Sequence, residues 1–396
     1  MRLSPGQRTA AAIAAATVLN LPFGTLYAFS VFLGELEARL GVGRTETSFV
    51  FALATIVLTF GMNLAPRLYR AFPPAALALG CGGCSAAGLL LAASASGLAQ
   101  FALGYGVLYA LGAGVAFTLC QQGVNQTVKD KSGLANGFTV SLYPLGAMIG
   151  APVFGWTVQA HGLGTLLTAL AVTVASAGAI SAALLRLAVI RMHDASAPAP
   201  RREDAQWPLF LRLAAVFFLA ASAGLLVMSQ VAGIVQAYGG ATGLALGATT
   251  FITGAVAAAR IGGGWLVDHY SVPRVALGAH LWSLAGALVL TVWPVPLATL
   301  PALAMIGMGY GFVSGLTAAA IAQYWPRNAF GRVASLLYVA WCAAALSLPV
   351  LAGWLYDRTG GYGSAMLIAA GINVLGALVA SGLPEKSAPQ AAAWRS

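Results

Sequence analysis

The chain has 396 residues, of which 59% are hydrophobic and 8% carry a charge, and its net charge is +10. Soluble domains usually contain about 25% charged residues, so this composition excludes a water-soluble globular protein. The mean hydropathy of +0.84 instead predicts a protein whose helices lie in a lipid bilayer.

Twelve apolar runs are long enough to cross a membrane, because a spanning helix needs about 20 apolar residues. In the first half of the chain the predicted spans are 9–33, 46–66, 75–96, 98–122, 134–158 and 163–188. In the second half they are 208–237, 245–267, 274–294, 298–323, 332–354 and 363–383. The first run is too long for a signal peptide and leads directly into the second, so it is predicted to be an uncleaved helix. The fold class predicted is an all-α membrane protein with 12 transmembrane helices.

The positions of the Lys and Arg residues predict the orientation of these spans. If the N-terminus is cytoplasmic, sixteen of the twenty lie on the cytoplasmic side, Arg260 lies inside a span, and three lie outside: Arg39, Arg44 and Arg358. This is the positive-inside pattern, which predicts a multi-pass inner (plasma) membrane protein with both termini cytoplasmic. The basic charge therefore sets the topology and indicates no nucleic-acid partner. Membrane lipid and a small molecule are the partners expected.

A polar stretch rich in Pro, Ala and charged residues, 191–207, separates the spans six to six. It predicts a cytoplasmic linker between an N-terminal six-helix bundle, 1–190, and a C-terminal one, 208–396. A displacement of 198 residues aligns several pairs between the halves: Gly133 with Gly331, Gly155-Trp156 with Gly353-Trp354, and Gly162 with Gly360. Internal repeats of this kind are typical of secondary transporters, which bind their substrate near the bilayer midplane. The chain is therefore predicted to be a transporter built from two pseudo-symmetric bundles.

The predicted spans offer no candidate for enzymatic chemistry. No carboxylate lies near the middle of a predicted span, and three of the four histidines, His161, His193 and His269, lie in loops. Cys81 and Cys84 have a CxxC spacing, but a Gly/Ala-rich span favours a helix contact over metal or redox chemistry. We therefore expect no catalytic residue, no metal and no cofactor.

One charged residue lies well inside a span. Arg260 is eight residues before Asp268, so at 1.5 Å per residue it stands about 12 Å from the cytoplasmic interface. An arginine inside a membrane costs at least about 2.5–3.5 kcal/mol on insertion scales. Because a guanidinium matches a planar carboxylate, this position favours an arginine that binds a carboxylate substrate. The alternative is a structural arginine hydrogen-bonded to helix ends.

Aromatic residues well inside their spans are the candidates to line a central cavity with Arg260. They are Tyr27, Tyr109, Tyr143, Tyr310, Tyr338 and Trp341. The repeat displacement aligns Tyr143 with Trp341, as expected for equivalent cavity positions. Helix packing is the alternative role for each of them.

The loop after the eighth span contains Gly264, Asp268 and Arg274. Asp268 is predicted either to pair with Arg274 or to cap a helix N-terminus in one of two transport states. A contact that breaks and re-forms between the two states would act as a gate, so Asp268 and Arg274 are predicted to be gating residues.

Gly264-x-x-x-Asp268 with Arg274, twelve spans and a central linker resemble the major facilitator superfamily. Within it, residues 27–32 with 41–46, residues 131–137, and Arg260 before a glycine-rich turn are similar to the oxalate/formate antiporter and monocarboxylate transporter group. The resemblance implies that the eighth-helix arginine engages the substrate carboxylate.

The chain departs from that group at three positions. Trp341 stands where the oxalate exchangers carry a lysine, so a single fixed positive charge favours a monocarboxylate over oxalate. Val256 and Val31 stand where animal monocarboxylate transporters carry an aspartate and a lysine. Proton symport by that route is therefore not implied.

The leading hypothesis is alternating-access transport of a small organic monoanion, most simply a monocarboxylate. Two alternatives stay open, namely an efflux pump for lipophilic compounds and a dicarboxylate/monocarboxylate exchanger. The coupling partner is either a proton, with His280 in the ninth span as the possible proton site, or a counter-anion. Symport, antiport and uniport all remain compatible with the sequence.

Overall fold

The computed structural model describes residues 4–69, 71–128, 132–190, 192, 206–326 and 329–385, and nearly all of them are helical. The α-helices of the first half are α1 (Pro5–Phe23), α2 (Leu33–Leu40), α3 (Arg44–Leu68), α4 (Pro74–Ala93), α5 (Leu98–Phe101), α6 (Ala110–Thr127) and α7 (Ser132–Leu187). Those of the second half are α8 (Trp207–Ala237), α9 (Thr242–Val267), α10 (Val272–Val292), α11 (Pro296–Tyr324), α12 (Phe330–Thr359) and α13 (Gly363–Ser381). A 3-10 helix, Gly24–Phe32, continues α1, and a π-helix, Ala102–Tyr109, joins α5 to α6.

The predicted twelve spans are confirmed by the helices. Eleven helical stretches of the described residues are long and apolar enough to cross a membrane. One of them, Gly133–Leu187, has 55 residues, which is more than twice the length that a bilayer requires. Gly162 interrupts it with φ 79° and ψ 165°, a conformation that glycine adopts without a steric penalty. This stretch therefore contains the predicted fifth and sixth spans.

The short helix α2 is absent from the predicted spans. Its eight residues include two glutamates and one arginine, so no apolar run of sufficient length marks it. The helix ends at Gly41, whose φ of 64° is a left-handed C-terminal cap. It extends the first span by two turns of amphipathic helix.

The chain divides into two compact units. The first unit contains Met1–Lys129, Thr139–Pro198 and Gly331–Cys342, and the second contains Asp130–Phe138, Ala199–Phe330 and Ala343–Ser396. The predicted bundles, 1–190 and 208–396, stay a prediction. Of the predicted linker 191–207, residues 192, 206 and 207 are described, and the rest lies outside the described residues.

Each unit ties the beginning of its chain half to the end by an arginine. In the first unit, Arg8 on α1 donates to the carbonyl oxygens of Ala188 and Val189, both at 3.0 Å, just after α7. In the second unit, Arg212 on α8 donates to the carbonyl oxygen of Gly382, at 2.7 Å, just after α13. A cation at a helix C-terminus neutralises the partial negative charge of the terminal carbonyl groups. Both units therefore join their first helix to the end of their last helix through an arginine.

The aligned glycines of the repeat both have a positive φ but differ in ψ, which is 165° at Gly162 and 11° at Gly360. Gly162, after the fifth span, and Gly360, after the eleventh, have φ angles of 79° and 70°. A side chain would be strained at both positions, so each half uses a glycine after its fifth span, although the two turns differ in geometry.

Candidate functional site

Arg260 lies on α9 inside the second unit and is 3% exposed. One of its terminal guanidinium nitrogens donates a hydrogen bond of 2.8 Å to the hydroxyl oxygen of Tyr310 on α11. The guanidinium carbon also lies 5.2 Å from the centre of the Tyr310 ring, within the range over which a cation is attracted to an aromatic face. Tyr310, one of the predicted aromatic residues, therefore contacts Arg260 through both its hydroxyl and its ring.

The pairing depends on a close approach of α9 and α11. A Cβ atom built on Gly315 would overlap the backbone carbonyl oxygen of Arg260, and one on Gly311 would lie 2.6 Å from the carbonyl oxygen of Val256. Glycine at these positions allows the two helix backbones to touch. The guanidinium and the phenol are consequently held between helices that cannot separate without losing this contact.

Arg260 is the only buried side chain among the Asp, Glu, Lys and Arg residues whose side chains the structure describes. The described acidic side chains are half-buried or exposed: Glu35, Glu37, Glu46, Asp268 and Glu385. Within the described ranges, no three His, Cys, Asp or Glu residues are grouped as a metal site would require. Arg260 therefore has the electrostatic character of a fixed, buried positive charge, which favours an anionic ligand.

Four of the predicted aromatic residues meet in the first unit and form a closed ring of contacts with Phe117. We call these five side chains the aromatic ring cluster. The centre of the Tyr27 ring lies 6.0 Å from that of Tyr143 and 6.4 Å from that of Trp341. Phe117 lies 4.9 Å from both Tyr143 and Tyr338, and Tyr338 lies 6.2 Å from Trp341. Most of these rings meet edge to face, a favourable geometry for aromatic pairs.

Phe117 was missing from the predicted set, although it contacts two members of the cluster. It lies on α6 in the predicted fourth span and is 3% exposed. As an apolar residue in an apolar span, it carries no sequence signal that separates it from packing residues. Its place in the cluster became apparent from the distances to Tyr143 and Tyr338.

Tyr109 lies in a different set of contacts. Its hydroxyl donates to the carbonyl oxygen of Phe23 at 3.3 Å and lies 3.2 Å from the hydroxyl oxygen of Thr25. Its ring packs 5.0 Å from Tyr105 and 5.9 Å from Phe23. These contacts join the π-helix to the first span, at the point where α1 becomes a 3-10 helix.

Asp268, at the end of α9, caps the beginning of α7 within the second unit. Its two carboxylate oxygens accept hydrogen bonds of 2.9 Å from the backbone N–H groups of Gly133 and Leu134. A negative charge is favourable at this end of a helix. Arg274 instead lies 3.0 Å from Glu385 in an exposed ion pair. Of the two arrangements predicted for Asp268, the helix cap is the one present.

His280, the predicted proton site, is 1% exposed on α10. Its Nδ1 lies 3.1 Å from the side-chain oxygen of Asn373 on α13, and the Asn373 amide nitrogen donates to the carbonyl oxygen of Ala369 at 2.8 Å. Because the amide nitrogen is used as a donor, the oxygen accepts from Nδ1–H. A Cβ atom on Gly376 would overlap the imidazole. His280 therefore packs between α10 and α13, and these partners differ from those of Arg260.

The comparisons with known proteins agree with the helical arrangement. Residues 212–396 match the family model of the Major Facilitator Superfamily. Monocarboxylate transporter 13 of Bos taurus is 26% identical over 378 residues, which cover 92% of this chain and 86% of that protein. The MFS-type transporter YhjX of Escherichia coli K12 is 22% identical over 336 residues, covering 81% of this chain and 82% of that protein.

A solved structure also has the same fold. The proton:xylose symporter XylE matches with a TM-score of 0.78 at 13% sequence identity, and the match covers 96% of this chain and 97% of that one. At this identity the likeness concerns the arrangement of helices and leaves the substrate open.

Proposed function

We propose that this chain, a multi-pass transporter of the Major Facilitator Superfamily, carries small organic monoanions across the membrane by alternating access, with Arg260 as the carboxylate anchor. The observation that supports this most strongly is the burial of Arg260, which is 3% exposed, beside the uncharged phenol of Tyr310. A substrate carboxylate would add a negative charge and two parallel hydrogen bonds to the guanidinium.

The charge balance favours a substrate with a single negative charge. One carboxylate neutralises one guanidinium, whereas a second carboxylate would enter a low-dielectric site without a partner, which is strongly unfavourable. Trp341, where oxalate exchangers carry a lysine, supports the same choice. The similarity to a monocarboxylate transporter supports it independently.

The aromatic ring cluster supplies the apolar contact surface in this proposal. Tyr143, Tyr338 and Trp341 are buried, and Tyr27 is half-buried. Aromatic rings desolvate the short carbon chain of a small acid and leave its carboxylate to the cation. That these side chains share one cavity with Arg260 stays a prediction, as does the substrate-binding role of Tyr109.

A thermal-shift panel on the purified protein tests the substrate class. We expect small monocarboxylates to raise the Tm of the wild type, and dicarboxylates and lipophilic cations to leave it unchanged. Arg260→Ala should lose the response, while Arg186→Ala, which removes an exposed arginine from the end of α7, should keep it. Stabilisation by lipophilic cations, retained in Arg260→Ala, would instead indicate an efflux pump. A response to dicarboxylates equal to that of monocarboxylates would contradict the proposed charge balance.

The role of His280 in coupling is tested separately, in proteoliposomes with an imposed pH gradient. Asparagine at this position keeps an N–H donor near the place of Nδ1, so we expect His280→Asn to keep the wild-type response of uptake to the gradient. His280→Ala removes the donor and leaves a cavity, and it should lower the free energy of unfolding by about 2 kcal/mol or more.

Two results would change this interpretation of coupling. A gradient response that is present in the wild type and lost in His280→Asn, with counterflow retained, would identify His280 as the proton carrier. A wild type that ignores the gradient and still shows counterflow would leave exchange or uniport.

A further inference from the structure

A crevice of about 380 Å³ is lined by residues of α9, α10 and α11 and opens at the surface of the second unit. Its walls are almost entirely apolar, and they include Leu266, Gly278, Trp282, Met308 and Phe312. Trp282 is 45% exposed, so the crevice opens at the surface of the helices. From Arg274 to Trp282 it follows α10 for eight residues, or about 12 Å along the helix axis.

A polar cleft of about 460 Å³ adjoins this crevice. Tyr270 and Arg274 line both of them. The remaining walls of the cleft are mostly polar: Asp268, His269, Ser271, Gln323 and Glu385. The surface therefore changes from apolar to polar along one continuous path, with an arginine and a tyrosine at the boundary.

We propose that the crevice and the cleft together form a binding site for one zwitterionic phospholipid. An acyl chain lies in the apolar crevice, the phosphate pairs with Arg274, and the ammonium group pairs with Glu385. The predicted topology places the beginning of α10 at the cytoplasmic surface, so the lipid belongs to the inner leaflet. The site is separate from Arg260 and does not depend on the nature of the transported substrate.

The charges of the cleft favour a zwitterionic headgroup over an anionic one. Arg274 and Glu385 form an exposed ion pair at 3.0 Å, and Asp268 adds a second negative charge that caps α7. Of the Asp, Glu, Lys and Arg side chains that line the cleft in the described part of the chain, two are carboxylates and one is an arginine, so a headgroup with a net negative charge is disfavoured. A headgroup that carries both a phosphate and an ammonium replaces each half of the exposed pair with an oppositely charged partner.

Gly278 allows the crevice to be filled without disturbing the helices. A Cβ atom built there meets no other atom within 4 Å, so the side chain of Gly278→Leu would project into the crevice. The displacement of 198 residues aligns Gly278 with Gly80 on α4, where a Cβ atom also meets nothing within 4 Å. Gly80→Leu is therefore a matched control that adds the same apolar side chain to an equivalent helix.

Native mass spectrometry of the detergent-purified protein with added phosphatidylethanolamine, phosphatidylcholine or phosphatidylglycerol tests the site. We expect the wild type and Gly80→Leu to retain one zwitterionic lipid, and Gly278→Leu to retain it at least about 10-fold less. The double variant Arg274→Gln, Glu385→Gln leaves the crevice open and should lose the preference for the two zwitterionic lipids over phosphatidylglycerol. It also tests the headgroup assignment if Gly278→Leu fails to fold.

Three results would overturn the proposal. The first is lipid retention by folded Gly278→Leu at the wild-type level. The second is stronger retention of phosphatidylglycerol than of the zwitterionic lipids by the wild type. The third is a dimer that Gly278→Leu dissociates, which would assign the crevice to a second copy of the chain.

Discussion

Arg260→Ala is expected to abolish carboxylate uptake in proteoliposomes while the protein still inserts and folds. Removing the charged partner of a buried ionic hydrogen bond costs about 2–5 kcal/mol, which corresponds to at least about 30-fold weaker binding. Folding should be little affected, because the substitution also removes a charge that is unfavourable inside a membrane. Initial uptake rates, normalised to the amount of folded transporter, measure the effect.

Two further substitutions separate the charge of Arg260 from its geometry. Arg260→Lys keeps the charge but loses the planar pair of donors, so it too should be inactive. Tyr310→Phe keeps the ring that lies 5.2 Å from the guanidinium carbon and removes one hydrogen bond to a charged group, worth about 1.5–3 kcal/mol. Uptake should therefore fall by about 10-fold or more but should remain measurable, unlike that of Arg260→Ala.

Arg186→Ala, which removes an exposed arginine, is the control for the removal of an arginine outside the candidate site. Uptake by folded Arg260→Ala at the wild-type rate would remove the carboxylate anchor from the proposal. Two results together would support the alternative that Arg260 has only a structural role. Arg260→Ala would fail to fold, and Arg260→Lys would keep the ligand-induced thermal shift.

Asp268→Asn is expected to slow transport by about 10-fold or more without abolishing substrate binding. The carboxylate accepts two backbone N–H bonds at the beginning of α7, and a hydrogen bond to a charged group contributes about 1.5–3 kcal/mol. We propose that this cap exists in one of the two transport states. Its loss then shifts the equilibrium between the states by about 2 kcal/mol, which is about 30-fold.

Uptake kinetics and the ligand-induced thermal shift, measured on the same preparations, distinguish a gate from a structural cap. A gate gives slow uptake and a preserved thermal shift. A cap that is present in both states gives a lower Tm and an unchanged rate per folded molecule, and that result would exclude the gating role. Glu35→Gln, at an exposed acidic residue of α2, is the control for removing a carboxylate.

Much of the fold could be predicted from the sequence, because membrane insertion depends on local composition. The length of each apolar run determines whether a helix crosses the bilayer, and the twelve predicted spans correspond to helices in the structure. The short helix α2 was missed for the same reason, since its charged residues form no apolar run. The glycines at 162 and 360 were detectable through the repeat displacement, and both have a positive φ, which favours glycine.

For the candidate site, the sequence predicted the chemical character of the residues but not which of them contact each other. The depth of Arg260 in its span follows from counting residues, and the pairing potential of a guanidinium follows from its structure. The sequence did not distinguish Tyr310, which contacts Arg260, from Tyr109, which bonds to the backbone of Phe23. Both are tyrosines near the middle of apolar spans, and local composition treats them alike.

The lipid environment of the helices, the number of spans and the one charged residue deep inside a span could all be read from the sequence alone. The tertiary structure decided which side chains meet, such as Phe117 with Tyr143 and Tyr338, and which of two partners Asp268 takes. Hydropathy acts on each segment separately, whereas a contact between distant residues depends on how helices rotate and how closely their backbones approach. At Arg260 that approach is set by Gly315 on another helix, a relation that no local pattern of residues encodes.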